Sequence, residues 1–376
     1  YTWSVTAGTA QTLSSTSAAA PTFTAAEATT GYTTTFQVSV TDGTTAATDT
    51  VVITVSADND APTVASAIAD ASTAEDAAYS LNIASNFADV DDSMTFAITG
   101  APSTITATSA GVISGTPVNA NVGTHSIVVT ATDAGGSNTV SDTYVLTITN
   151  VNDAPTVDAG ISNMAVNEDA ALSTAFAADA FADVDSGDSC TYTATLTSGA
   201  ALSTLSDSWL SFNAGSRTFS GTPLNGAVGT ASIRVTCTDG SSAAVTDDFD
   251  IVVSNTNDAP TSSGGSAAPN EDATHTFTTT ASDWGYSDVD SGDSMTHIDV
   301  TSLPGTGTLA LSGSSVSAGD DIAIGNLGGL TYVPVANANG AVTFTFKVND
   351  GEAWSASAGT FTLTYAAVND VPTWTT

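Results

Sequence analysis

The sequence predicts an all-β protein, an extended array of tandem Greek-key β-sandwiches, on three observations. Thr, Ser, Val, Ala and Gly dominate and turn residues recur throughout. No stretch repeats apolar residues at helical spacing over three turns. A short phrase also returns four times: DNDAPT from Asp58, NVNDAPT from Asn150, NTNDAPT from Asn255 and AVNDVPT from Ala367. Pro62, Pro155, Pro260 and Pro372 are thus 93, 105 and 112 residues apart, which is the size of one sandwich of about 100 residues. The 376 residues accommodate three or four such domains.

Each repeat carries the same landmarks in the same order. An acidic pair comes first: Glu75-Asp76, Glu168-Asp169 and Glu271-Asp272. An Asp-rich loop follows, DVDD from Asp89 and DVDSGD from Asp183 and Asp288. Late in each repeat a β-rich run ends in Asp with Gly close behind, at Asp133, Asp239 and Asp350. Strand-like runs bounded by Gly, Asn and Asp include 126–132, 144–149, 233–238, 343–348 and 360–365. About seven per repeat make a two-sheet sandwich. The Ala-rich stretch 170–181 has room for a helical turn, but its counterparts in the other repeats do not support a helix.

Charge narrows the partners. Against 39 acidic residues stand Arg217, Arg234 and Lys347, for a net charge of -36. Nucleic acid and anionic membranes need a basic footprint and are excluded; cations are the natural partner. Only Glu27, Glu75, Glu168, Glu271 and Glu352 are glutamates, and the Asp excess favours turns and ligand loops over helix surfaces. No apolar run approaches 18 residues.

The phrases resemble known families. The DVD, TD and NDAP phrases, with SGTP at Ser114 and Ser220, make the repeats at 62–150 and 155–255 similar to the cadherin-like Ig modules of large bacterial surface proteins. The third, with LPGTGTLAL from Leu303 and LTYVPVANANG from Leu330, resembles the cadherin-like repeat of secreted bacterial adhesins. YTWSVTAG and FQVSVTDG make the N-terminal segment similar to the second half of a PKD or REJ-like module. The expected division is 1–57, 58–150, 151–255, 256–368 and the start of a further module at 369–376, a section of something longer. The resemblance implies immunoglobulin-like sandwiches in an extracellular, secreted or surface-bound bacterial protein.

In such a sandwich the linker, the DVD loop and the TDG loop meet at one end, and the Glu of the first turn lies at the other, facing the next linker. The first junction gathers Asn59, Asp60, Asp89, Asp91 and Asp133. The second gathers Glu75, Asn152, Asp153, Asp183, Asp185, Asp188 and Asp239, and the third Glu168, Asn257, Asp258, Asp288, Asp290, Asp293 and Asp350. Hard oxygen donors in these numbers suit Ca²⁺, which takes six to eight, better than Mg²⁺. Two carboxylates about 4 Å apart repel by roughly 4 kcal/mol at an effective dielectric near 20. A cation would turn each hinge into a rod; the competing reading is solvated turn residues.

Cys190 and Cys237 occupy the positions held by Met94 with Ala131 and by Met295 with Val348 in the other repeats, paired positions facing each other in the core, and read either as a disulfide closing a loop of about 47 residues or as two buried thiols. His125, His275 and His297 lack a Ser or Cys partner and read as strand residues. Neither GxSxG nor HExxH occurs, and Asp pairs repeated once per module do not make a single catalytic cleft. No enzyme is expected. The expected function is a calcium-rigidified stalk on the order of 100 Å long, acting in cell adhesion. The alternatives are a filament or surface-layer subunit that homo-assembles through an open sheet edge and a carbohydrate-binding region.

Overall fold

A computed structural model describes residues 1–26, 28–135 and 138–371. Glu27, Pro372, Trp374 and most of the further module expected at 369–376 lie outside the described residues. The chain divides into two compact units, Tyr1–Asp153 with Asp183–Asp188, and Ala154–Ala182 with Ser189–Thr376.

In the first unit, Thr2–Gly8, Tyr32–Thr41 and Ala46–Val55 form an antiparallel sheet in chain order. A sandwich follows. Its four-stranded sheet runs Ala71–Ala74, Thr139–Thr149, Gly123–Asp133, Met94–Thr99, and its three-stranded sheet runs Tyr79–Asn82, Val112–Gly115, Ile105–Ala107. The alternation that predicts strands also fills the core: Ile127, Val129 and Ala131 of one strand and Tyr144, Leu146 and Ile148 of its neighbour turn inward onto Ile83, Ile105 and Ile113.

The second unit holds two more sandwiches. In the first, Met164–Asn167, Ala244–Ser254, Gly229–Thr238 and Thr191–Leu196 face Leu172–Ala175, Thr218–Gly221 and Ser211–Asn213. Phe219, Ile233, Val235 and Ile251 form its centre, with Trp209 buried beside them. The other has a five-stranded sheet, Gly265–Ala267, Gly359–Tyr365, Gly340–Asn349, His297–Ser302 and Asp320–Ala323, over a core centred on Trp284, Phe344 and Phe346. Stretch 170–181 contributes the strand Leu172–Ala175 rather than a helical turn, because Leu172 is drawn into the core.

One feature of the topology positions the acidic residues. The entering chain pairs briefly with one strand, Thr63–Val64 against Phe87–Ala88, then crosses to the other sheet, where Ala71–Ala74 runs parallel to the last strand. Met164–Asn167 and Gly265–Ala267 do the same. Each crossing strand delivers its glutamate beside the end of the last strand: Glu75 N–H donates to Thr149 O at 3.0 Å, Glu168 to Ser254 O at 3.0 Å and Glu271 to Ala366 O at 2.8 Å. The next residue, Asp76, Asp169 or Asp272, turns the chain at φ of 57°, 58° or 62°, a left-handed conformation that Asp tolerates.

Cys190, just ahead of Thr191–Leu196, is bridged to Cys237 with a Cα separation of 5.1 Å. Reduction of this bridge, 47 residues apart in sequence, should lower the stability of its sandwich by about 2–4 kcal/mol. Calorimetry with and without reductant checks this, with the other two sandwiches unmoved.

Candidate metal centres

Three loops of identical design carry the acidic groups. The first Asp of each DVD phrase folds its loop through its own side chain: Asp183 Oδ1 accepts from Asp185 N–H at 2.9 Å, Asp288 Oδ1 from Asp290 at 3.0 Å, and Asp89 Oδ1 from Asp91 and Asp92 at 3.2 Å. Such Asx turns are local chemistry. The second Asp then reaches the linker: Asp91, Asp185 and Asp290 each accept, through Oδ2, from the N–H of Asp60, Asp153 and Asp258 at 3.2, 2.8 and 2.6 Å.

The linker asparagines close their own turns, Asn59, Asn152 and Asn257 each donating to the carbonyl of the following Asp. Asn59 also donates to Asp133 Oδ2 at 2.8 Å and Asn257 to Asp350 Oδ2 at 3.1 Å. This ties the late TDG loop to the linker in the first and third sets. Asp239 lies in the second unit, where its Oδ1 accepts from Ser241 and Ala243 N–H at 2.9 and 2.8 Å.

The glutamates accept from the outgoing linkers. Glu75 Oε1 accepts from Val151 N–H at 3.0 Å and Glu168 Oε1 from Thr256 N–H at 2.8 Å. Both side chains are almost wholly buried, 1% and 2% exposed, yet the second oxygen of each has no hydrogen-bond partner among the described residues. Asp89 Oδ2, Asp91 Oδ1 and Asp183 Oδ2 are likewise buried without a partner among the described residues. An unpaired buried carboxylate oxygen is costly, and a cation is one group that would satisfy it.

The third set separates into two groups rather than one: Glu168, Asp258 and Asp290, and Asp288, Asp293 and Asp350. In the second set Asp183, Asp185 and Asp188 form a further group. Within each, one oxygen per residue lies within 4.8 Å of the others. Two oxygens bound to one Ca²⁺ at about 2.4 Å lie at most about 4.8 Å apart, so the oxygens of each group are hard donors close enough to share one such ion.

Electrostatics record the crowding. Burial, then the charges of Asp185, Asp76 and Asp183, hold Asp153 above the ordinary carboxylate range. Asp258 is raised by burial and by Asp169, Asp290 and Asp288, and Asp293 by burial and by Asp288, Asp290 and Asp350. For Asp350, burial is outweighed by the N–H groups of Ala353 and Glu352 and the amide of Asn257, which hold it low.

Sequence reasoning missed several residues. Asn119 Nδ2 donates to Asp185 Oδ1 at 2.7 Å and Asn225 Nδ2 to Asp290 Oδ1 at 2.6 Å. Both follow the SGTP phrase, in TPVN and TPLN, a recurrence that could have flagged them. Asp76 and Asp169 add charge beside Asp153 and Asp258. Glu271 repeats the buried glutamate at the end of the third sandwich, accepting from Val368 N–H at 2.6 Å.

Residues 61–149 and 154–254 match the family described as Putative Ig domain, half of the chain between them. The chain belongs to that family. Behind these two Ig modules, residues 256–365 match the Cadherin-like domain. Among solved structures, mouse cadherin-23 EC22-24 is similar at a TM-score of 0.51 and 20% identity, over 83% of this chain and all 100% of that one. The protocadherin gamma B2 extracellular cadherin domains 1-5 are similar at 0.51 and 13% identity, over 98% of this chain and 74% of that one. These likenesses establish a shared fold. No curated protein matches the chain in sequence.

The raised groups give a pH prediction with a definite sign. Protons favour the folded, ion-free state through Asp153 and Asp258, whose stabilising contribution is present below the ordinary value of 3.8 and lost as pH rises through their raised values. Carbon-13 carboxylate titration in chelator should place both above 3.8 and Asp350 below it. Added calcium should move Asp153 and Asp258 downward.

Proposed function

We propose that the chain is a calcium-rigidified stalk segment of a large secreted bacterial adhesin or surface protein, acting outside the cell in adhesion and not as an enzyme. The observation that carries this reading is the pair of buried glutamates, Glu75 and Glu168, each with one oxygen unpartnered among the described residues, Glu168 grouped with Asp258 of the linker and Asp290 of the following DVD loop. Its modules are 58–150, 151–255 and 256–368, preceded by the PKD or REJ-like segment 1–57 and followed by a further module from 369.

Glu75, Asn152, Asp153, Asp183, Asp185 and Asp188 would hold the ions of one junction. Glu168, Asn257, Asp258, Asp288, Asp290, Asp293 and Asp350 would hold those of the next, and Asn59, Asp60, Asp89, Asp91 and Asp133 those of the first. Bound calcium supplies the positive charge that lets these carboxylates converge. The chain's own residues do the positioning: Asx turns shape the loops, linker N–H groups orient Asp91, Asp185 and Asp290, and the crossing strands bring the glutamates to the linkers.

A second reading, self-assembly into a filament or surface layer, has one observation in its favour. Val40, Val51 and Val52 are exposed on the N-terminal sheet, beside a cavity of about 210 Å³ lined by Trp3, Phe23, Phe36 and Ile53. Sedimentation that finds a monomer at high concentration removes this reading.

Chelation tests the stalk. Each site held at about a hundredfold its Kd contributes about 2.7 kcal/mol to the folded state. EDTA should lower the unfolding midpoint and shorten the maximum dimension in small-angle scattering; if it changes neither, the stalk reading is wrong. The variant E168Q keeps an acceptor for Thr256 N–H but removes a charge. It should stabilise the chelated chain and weaken calcium binding at that junction about tenfold or more.

A further inference from the structure

We infer that Asn119 and Asn225 are ion-independent tethers that fix the central aspartate of the next module's acidic loop before any cation binds; the calcium half of this inference rests on the function proposed above. The two asparagines occupy equivalent places. Each follows Pro-x, opens a short 3-10 turn in Asn119–Asn121 or Asn225–Ala227, and is half-buried. Each turn is anchored to the neighbouring acidic pair, since Asp76 N–H donates to Pro117 O at 2.9 Å and Asp169 N–H to Pro223 O at 2.8 Å. The tether and the buried glutamate therefore leave the module from one platform.

The direction of the bond follows from chemistry. A carboxylate only accepts, so the asparagine must present its NH₂ to it, and a donor to an ionised acceptor makes a short bond. Asn119 meets Asp185 Oδ1 at 2.7 Å and Asn225 meets Asp290 Oδ1 at 2.6 Å. The other oxygen of each aspartate is taken by a linker N–H, from Asp153 or Asp258. One carboxylate is thus held by the preceding module and the linker at once, by bonds that require no metal.

The first junction supplies the comparison. Asp91 occupies the same loop position and accepts from Asp60 N–H, but at 3.2 Å against 2.8 and 2.6 Å in the other two. Its Oδ1, the atom that an asparagine caps in Asp185 and Asp290, is buried with no partner among the described residues. The amide tether therefore accompanies the shorter linker bonds. Without metal, the linker amides of Asp153 and Asp258 stay bonded to their aspartates and that of Asp60 is held less tightly.

Hydrogen exchange of the linker amides in the whole chain, with EDTA and with saturating calcium, tests this. In EDTA the Asp153 and Asp258 amides should exchange at least about tenfold more slowly than that of Asp60. The variant N225L, which keeps the bulk and removes the donor, should speed Asp258 exchange in EDTA about tenfold, leave Asp153 unchanged and weaken calcium binding severalfold. Saturating calcium should restore Asp258 protection. Two results would overturn the tether: Asp258 protection in EDTA that N225L does not alter, or Asp258 protection that calcium fails to restore in N225L while it slows Asp60 exchange in the same variant, which would make Asn225 an ion ligand. If calcium does not slow even Asp60 exchange in the wild type, the proposed function fails, and the EDTA comparison still decides the tether.

Discussion

Like charges brought together where water is scarce set the terms for this molecule. Glu75, Glu168, Asp185, Asp239 and Asp290 are all buried, in a chain with three basic residues to offset 39 acidic ones. Arg234, one of the three, is engaged by Asp248 on the face of a strand. Compensation must come from backbone N–H groups, from asparagine amides or from a cation. The first two satisfy both oxygens of Asp185 and Asp290 but, among the described residues, only one each of Glu75 and Glu168. The oxygens left over are the strongest physical argument for the third.

The fold makes the crowding unavoidable. A first strand that changes sheets and runs parallel to the last strand places a glutamate against the outgoing backbone in all three sandwiches. The linker that follows is bonded by its own N–H to the next acidic loop. Backbone geometry therefore fixes the positions of the carboxylates, and their repulsion is the consequence. The disulfide and the aromatic cores stabilise single sandwiches and have no part in this arrangement.

Much of this was legible in the sequence because it is local. Asx turns at Asp89, Asp183 and Asp288 and asparagine turns at Asn59, Asn152 and Asn257 need only their neighbours, so the residue types announce them. Apolar alternation over 123–133 and 139–149 announces a buried sheet face in the same way. What escaped depends on pairing between distant segments. The parallel register of Ala71–Ala74 leaves no periodic trace, and Asn119 looks like any turn residue until Asp185, 66 positions away, meets it. The division of the third set into two groups is likewise a matter of side-chain placement.

The central claim, that a cation completes these clusters, is met most directly by a crystal structure of the chain grown in calcium. The account predicts an ion within about 2.3–2.6 Å of the free Oε2 of Glu168 and of carboxylate oxygens from Asp258 and Asp290. Ordered water at that position, or a carboxyl group of the cluster donating a proton to its neighbour, would contradict it.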